Sequence, residues 1–141
     1  MSDREWLAQS FDYQGRLLQL RVRPAVDTPE HFEQYPHLGV LTHQLDHVQE
    51  DGQPEPAYKE ALADFDAIVD ETLTTSGHGT VMIIETFGGA RRYYACLDDA
   101  DHADAWLATL QERFGDHKLS IEVDRDKAWI FYRGYRSEYK W

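Results

Sequence analysis

TVMIIETFGGARRYYACL, residues 80–97, decides how this chain is laid out. It reads as two strands joined by Gly88-Gly89, a pair that turns a hairpin because glycine accepts positive φ without steric cost. Val81, Met82, Ile83 and Ile84 leave the first strand no polar face, so both of its sides are expected to be covered. An amphipathic helix precedes this hairpin and another follows it.

The first of these helices spans 56–75. At about 100° per residue, Ala57, Tyr58, Ala61, Leu62, Phe65, Ile68, Val69 and Leu73 fall on one side. Lys59, Glu60, Ala63, Asp64, Asp66, Ala67, Asp70 and Glu71 fall on the other, and Gly77 suits the C-terminal cap. The second helix begins at a cap from Asp98 or Asp99, runs through Phe114 and is closed by Gly115. Ala103, Trp106, Leu107, Leu110 and Phe114 share its inner face. Asp101, Asp104, Ala105, Ala108 and Glu112 share its outer one.

A strand at 38–45 and another at 119–123, where Leu119, Ile121 and Val123 alternate, complete the central run. Strand, helix, strand, strand, helix, strand is the order of a ferredoxin-like split βαβ sandwich. The expected class is therefore α+β, with both helices on one face of an antiparallel sheet. Met82, Ile84, Tyr94 and Cys96 then point to the opposite face or to the core.

Residues 6–13 and 16–23 flank Gln14-Gly15 as an additional N-terminal hairpin, in which Leu18, Leu20 and Val22 alternate with Gln19, Arg21 and Arg23. Pro24 ends it. Asp27-Thr28-Pro29-Glu30 starts a short helix over 29–34, limited by Pro36. Residues 48–55, with Asp51-Gly52 and Pro54, read as a loop too short to divide two domains. We therefore expect a single domain over 1–141: hairpin and short helix at 5–37, core at 38–124, and an aromatic, basic tail at 125–141. The hairpin or the tail is expected to cover or extend the sheet; a second copy in a homodimer would serve as well.

Composition narrows the function. The chain has 141 residues, 42% hydrophobic and 13% aromatic, enough for a real core. Its net charge of −12 disfavours nucleic acid and anionic membrane and favours a basic protein surface as partner. Cys96 is the single cysteine, which fits a reducing compartment. No positively charged start with a following apolar run and no apolar stretch of membrane length is present, so a cytoplasmic protein is expected.

Four features could carry chemistry. Glu60, Asp64, Asp66, Asp70, Asp101, Asp104 and Glu112 form an acidic outer face on the two helices, interspersed with alanines. That face reads either as solvated surface or as a docking site for a basic partner. Arg91, Arg92 and Tyr94 are the candidates for binding a small ligand, or for an enzymatic site, on the sheet face opposite the helices. The tail interleaves Trp129, Phe131, Tyr132, Tyr135, Tyr139 and Trp141 with Arg125, Lys127, Arg133, Arg136 and Lys140; such a pattern can stack on single-stranded bases, or pack inward on its own body. Among the histidines, His43 and His47 follow a strand, too far apart to share an ion, and His78 between two glycines reads as a turn. We expect no metal, no cofactor and no catalytic residue: Cys96 reads as a buried core thiol, and no nucleophile or nucleotide motif is present. Glu85 with Asp124 and Asp126 is a weaker carboxylate group.

Trp6 opening a hairpin, Tyr35-Pro36 before a strand, the glycine turn leading to Arg91-Arg92-Tyr93-Tyr94, and Asp126-x-x-Trp129-x-x-Tyr132 resemble, in that order, the bacterial domain of unknown function 695. The resemblance covers about residues 5–135. The later part, with acidic helices and the closing motif, is also similar to the RNase E inhibitor RraB family. The first resemblance implies a fold and no established activity. The second implies a regulator that binds a protein partner. Asp126, Trp129 and Tyr132 match the shared closing motif; their spacing of three suits a helical turn with Trp129 packed inward, so they read as structural.

Overall fold

The structure, a computed structural model, describes residues 6–141. They form a mixed α+β fold of six strands and four helices. β1 (Leu7–Tyr13) and β2 (Arg16–Val22) make the first hairpin, with both turn residues at positive φ, Gln14 at 54° and Gly15 at 80°. α1 (Pro29–Gln34) follows, its first turn capped by the Thr28 hydroxyl, which accepts from the His31 N–H at 3.2 Å. β3 (His37–Gln44) leads into a loop and then α2 (Lys59–Ser76), which ends at Gly77 in the left-handed region, φ 77°. β4 (Gly79–Phe87) and β5 (Ala90–Leu97) form the central hairpin through Gly88 and Gly89, at φ 61° and 81°. α3 (Asp101–Arg113), β6 (Lys118–Asp124) and α4 (Ala128–Tyr139) complete the chain.

The strands build one antiparallel sheet in the order β1-β2-β4-β5-β3-β6. The N-terminal hairpin extends the sheet at the β4 edge, where Gln19–Val22 pairs with Thr86–Ile83. One sheet face carries α2 and α3 over a core that includes Leu41, Phe65, Val69, Leu73, Tyr93, Trp106 and Leu110. The other carries α1 and α4 over Leu20, Val22, Phe32, Met82, Tyr94 and Tyr132. Both faces are therefore covered by the chain itself, which explains why β4 is apolar on both sides.

Three expectations need correction. A β-bulge lies between Val81 and Ile83, because Val81 pairs with Ala95 while Ile83 pairs with Tyr94. The extra residue reverses the alternation beyond it. Val81 and Ile84 consequently face α2 and α3, and Met82 and Ile83 face α4, so Ile84 is not on the Tyr94 side. Second, α3 takes Ala100 rather than Asp98 or Asp99 at its N-cap, although Asp99 Oδ1 still accepts from the Asp101 N–H at 2.9 Å. Third, the tail packs back as a helix, but Trp129 is 48% exposed. The inward stripe of α4 runs through Ala128 and Tyr132; Trp129 lies about 100° round from Ala128 and stacks flat over Phe32, 6.4 Å between centroids.

The loop before α2 is no slack linker. Its Gly52 carbonyl accepts from the Gly89 N–H at 3.0 Å, and the Gln53 amide donates to the carbonyls of Leu17 and Thr86 at 2.7 and 3.1 Å. Gly52, at φ 85°, lies so close to the central turn that a Cβ there would stand 2.9 Å from Gly88 Cα. The loop thus straps the β2–β4 junction to the hairpin tip.

Candidate functional site

The acids of α2 separate into two groups. Glu60, Asp64 and Glu71 are exposed, but Asp66 is only 2% exposed and Asp70 is buried as well. Leu62, Phe65, Asp66, Val69, Asp70 and Leu73 form the buried stripe, at the i, i+3, i+4 spacing of one helix face. Asp66 and Asp70 therefore do not belong to the outward acidic surface. They meet the arginines of β2. An i, i+4 pair on a helix is about 6 Å apart along the axis and an i, i+2 pair on a strand about 7 Å, so the two ladders match. Arg23 grips Asp70 with both terminal nitrogens, at 3.1 and 3.0 Å, and Arg21 reaches Asp66 at 3.4 Å. The Trp6 ring stacks against both guanidinium groups, 5.1 Å from Arg21 and 4.3 Å from Arg23.

Arg91 belongs to the same network. Its Nε donates to Asp66 Oδ1 at 3.0 Å and its Nη1 to the Thr86 hydroxyl at 2.9 Å. The Tyr93 hydroxyl donates to Asp66 Oδ1 at 2.5 Å, and burial followed by the Asp66 charge pushes that phenol well above its ordinary range. Arg92 and Tyr94 point to the opposite face, as alternation along β5 requires. Arg92 pairs with Glu85 at 3.2 Å. Tyr94 is 8% exposed, lies against Phe131 at 4.6 Å between centroids, and its hydroxyl donates to Glu85 at 3.4 Å. The Tyr135 hydroxyl of α4 donates to the same carboxylate. Burial and then Glu85 raise both phenols. Arg91 and Arg92 are thus on different sides of the sheet, and the face beside Tyr94 is covered by α4, the inward-packing alternative for the tail, which leaves the proposed ligand surface filled. Two strands, β5 and β3, lie between Glu85 on β4 and β6, so it forms no carboxylate group with Asp124 or Asp126.

The exposed acids lie at two ends of an antiparallel helix pair. Phe65 meets Phe114 at 4.9 Å, which sets the start of α2 beside the end of α3. Trp106 Nε1 donates to Thr72 Oγ1 at 3.3 Å further along. Glu60, Asp64 and Glu112 therefore share one end, and Glu71, Asp101 and Asp104 the other. Between them runs a groove of about 440 Å³ lined by Ile68, Glu71, Thr72, Thr75, Ser76, Thr109 and Arg113. No helix among the described residues is long and apolar enough to cross a membrane.

A family model described as "Family of unknown function (DUF695)" matches residues 4–135. The chain belongs to this family. No curated protein and no solved structure matches it. The glycine turn and the arginine pair of this chain are accounted for by the contacts above: Gly88-Gly89 receives the Gly52 strap, and Arg91 and Arg92 neutralise buried acids on the two sheet faces. Of the closing motif, Asp126 takes a left-handed turn (φ 59°) ahead of α4, and its N–H donates to His37 Nδ1 at 3.0 Å.

The histidines divide between interior and surface. His43 is fully buried in β3, between Phe65 and His117, with neither ring nitrogen hydrogen-bonded. Burial first, then the neighbouring His117 and Arg91, lower its pKa to about 4, against an opposing effect of Asp46. Sign follows from linkage: the native imidazole stays neutral while the unfolded one takes a proton near 6.5, so the stabilisation is complete above pH 6.5 and is lost as pH falls to 4. Over that window we expect roughly 2–3 kcal/mol to be lost. Urea unfolding at pH 7 and pH 4 measures it, and His43→Leu should flatten the difference. Cys96, pushed up to about 12 by burial, is the expected core thiol, with His31 Nε2 3.1 Å from its sulfur.

One cluster escaped the spacing argument. His78 Nδ1 lies 3.0 Å from Asp98 Oδ2, and His102 Nδ1 lies 2.8 Å from Asp98 Oδ1. The two imidazoles stack at 3.6 Å. The hydrogen bond to Asp98 raises the His102 pKa. Its signal in the sequence was incomplete: an unbroken register from the Gly88-Gly89 turn sets residue 78 opposite residue 99, and only the bulge at Met82 brings it opposite Asp98, four residues before His102.

Proposed function

We propose that this chain is a non-catalytic interaction domain that binds a basic protein surface through the exposed acids of α2 and α3: Glu60, Asp64, Asp101, Asp104 and Glu112. One observation carries the reading. After the inward acids have found arginines, these five still face solvent, while the opposite sheet face is occupied by α4. A predominantly acidic, solvated surface, here two acidic ends flanking a groove that also holds Arg113, steers a basic partner and sets its register.

The core is read as ferredoxin-like. What supports this is the segment β6-β3-β5-β4 of the sheet, with α2 and α3 as crossovers on one face. On this reading the N-terminal hairpin and α4 are additions to that core. From the resemblance to the RraB family read in the acidic helices and the closing motif, we further propose that the partner is a nuclease that the chain regulates in the cytoplasm.

Capture from lysate on immobilised protein, at low and high salt, tests the binding surface. The variant Glu60→Lys, Asp64→Lys, Asp101→Lys, Asp104→Lys changes only exposed positions, so its fold should persist. Binding is expected to fall by at least about tenfold in the variant and to weaken with salt. A partner retained equally by both proteins refutes the assignment of this face.

A further inference from the structure

We propose that His78, Asp98 and His102 form a binding site for a divalent transition metal of the zinc class. The site is independent of the acidic surface described above. Its three side chains come from three places: the turn after α2, the residue following β5, and the first turn of α3.

The backbone presents them together. Gly79 and Leu97 form the last rung of the β4–β5 ladder, and the Asp98 N–H donates to the His78 carbonyl at 2.9 Å, one step beyond it. This extra bond sets His78 and Asp98 directly across from each other. His102, four residues on, stands above Asp98 on the same side of the chain. His78 itself is held tightly. Gly77 turns the chain out of α2 at φ 77°, and at Gly79 a Cβ would come 2.3 Å from the Cys96 carbonyl oxygen, so the strand backbones approach closely there.

The donor geometry suits a small ion. The three ligand atoms all lie within 4.8 Å of one another. A tetrahedral ion with bonds near 2.0–2.1 Å needs its ligand atoms about 3.3 Å apart. The present separations of 3.0 and 2.8 Å, which run to different oxygens of Asp98, need to open by a few tenths of an ångström, while the widest pair, within 4.8 Å, has to close by up to about 1.5 Å. Both imidazoles turn Nδ1 toward the same carboxylate, so an ion entering there replaces two hydrogen bonds with two metal–nitrogen bonds. Any proton carried on those nitrogens leaves to solvent. Two imidazoles and one carboxylate favour zinc-class ions over calcium or magnesium, which take oxygen donors. Three protein donors leave a fourth position for water. Asp99 and Asp101, whose charges already act on His102, offset the partial positive charge of the α3 N-terminus.

The other titratable clusters lack this arrangement. His43 and His117 stack at 4.9 Å inside an aromatic shell, and no carboxylate accepts a hydrogen bond from His43. Glu85 is filled by the donors Arg92, Tyr94 and Tyr135. Only the His78 group is half-exposed, so an ion can reach it from solvent among the described residues of these clusters.

Calorimetric titration of the chelator-treated full chain with zinc chloride tests the site. One ion per chain should bind, and the thermal midpoint should rise with zinc concentration, because an ion selective for the folded state stabilises it by mass action. Magnesium chloride should do neither. His78→Gln and His102→Gln should each weaken zinc binding by at least about tenfold. Asp98→Asn, which keeps the shape of the side chain, should do the same and guards against a variant that fails to fold. His47→Gln, at an exposed histidine that meets Tyr58 edge-on, should leave binding unchanged. Absence of zinc binding, or binding that survives loss of His78 and His102, overturns the proposal.

Discussion

Asp66→Ala is expected to lower the unfolding free energy by about 3–5 kcal/mol, the cost of leaving a buried charge without its partner. Asp66 accepts from Arg91, Arg21 and Tyr93, and both Arg91 and Tyr93 are themselves withdrawn from water. Truncation would strand a guanidinium and a phenol under α2. A domain of this size has only about 5–15 kcal/mol to lose, so urea unfolding should show a large fall in midpoint. Asp64→Ala, two residues earlier and exposed, should change stability by less than about 0.5 kcal/mol. The double variant Asp66→Ala, Arg91→Met should regain part of the loss, because removing both partners removes the stranded charge. A single variant that loses less than about 1 kcal/mol would mean that water reaches the carboxylate and that the network is not desolvated.

The misplacement of Asp66 in the sequence reading has a physical cause. Its helical phase was legible: it lies four residues after Leu62 and seven before Leu73, on the apolar stripe. Residue type was allowed to override period, since unpaired acids face water. The missing information was the pairing with Arg21 and Arg91, up to 45 residues away. Local turn chemistry was readable for the same reason that pairing was not. Gln14-Gly15, Gly77 and Gly88-Gly89 declare their backbone geometry within two residues, and all adopt the positive φ expected of turns and caps.

The bulge at Met82 shows a further limit. Val81–Ile84 is apolar throughout, so no alternation marks where an extra residue has been inserted. Any register satisfies such a strand, and only the facing strand chooses between them. For the candidate site the consequence is direct. Arg91, Arg92 and Tyr94 look like a cluster in sequence, yet a strand divides consecutive side chains between two faces. The His78, Asp98 and His102 group is the reverse case: scattered in sequence, assembled by a ladder rung and a helical turn.

Tyr132→Ala should destabilise the chain by about 3–5 kcal/mol, the range for emptying a large buried aromatic site. Tyr132 is fully buried and anchors α4 over the sheet, against Phe32 at 5.6 Å and Trp141 at 5.7 Å. Its hydroxyl donates to the Arg23 carbonyl at 3.1 Å, so it also fixes the residue that grips Asp70 on the opposite face. Tyr132→Phe keeps the ring and should lose only about 1 kcal/mol, the net worth of a hydrogen bond. The ratio between the two variants separates packing from polarity, and urea midpoints measure it. This anchor also decides what the Tyr94 face can do. With α4 seated, Tyr94 and Glu85 are closed off, while the outward acids of α2 and α3 stay exposed. A Tyr132→Ala protein of nearly unchanged stability would mean that α4 contributes little and can leave the sheet. The Arg92–Glu85–Tyr94 group would then be open to a ligand, and the function would have to be sought on that face.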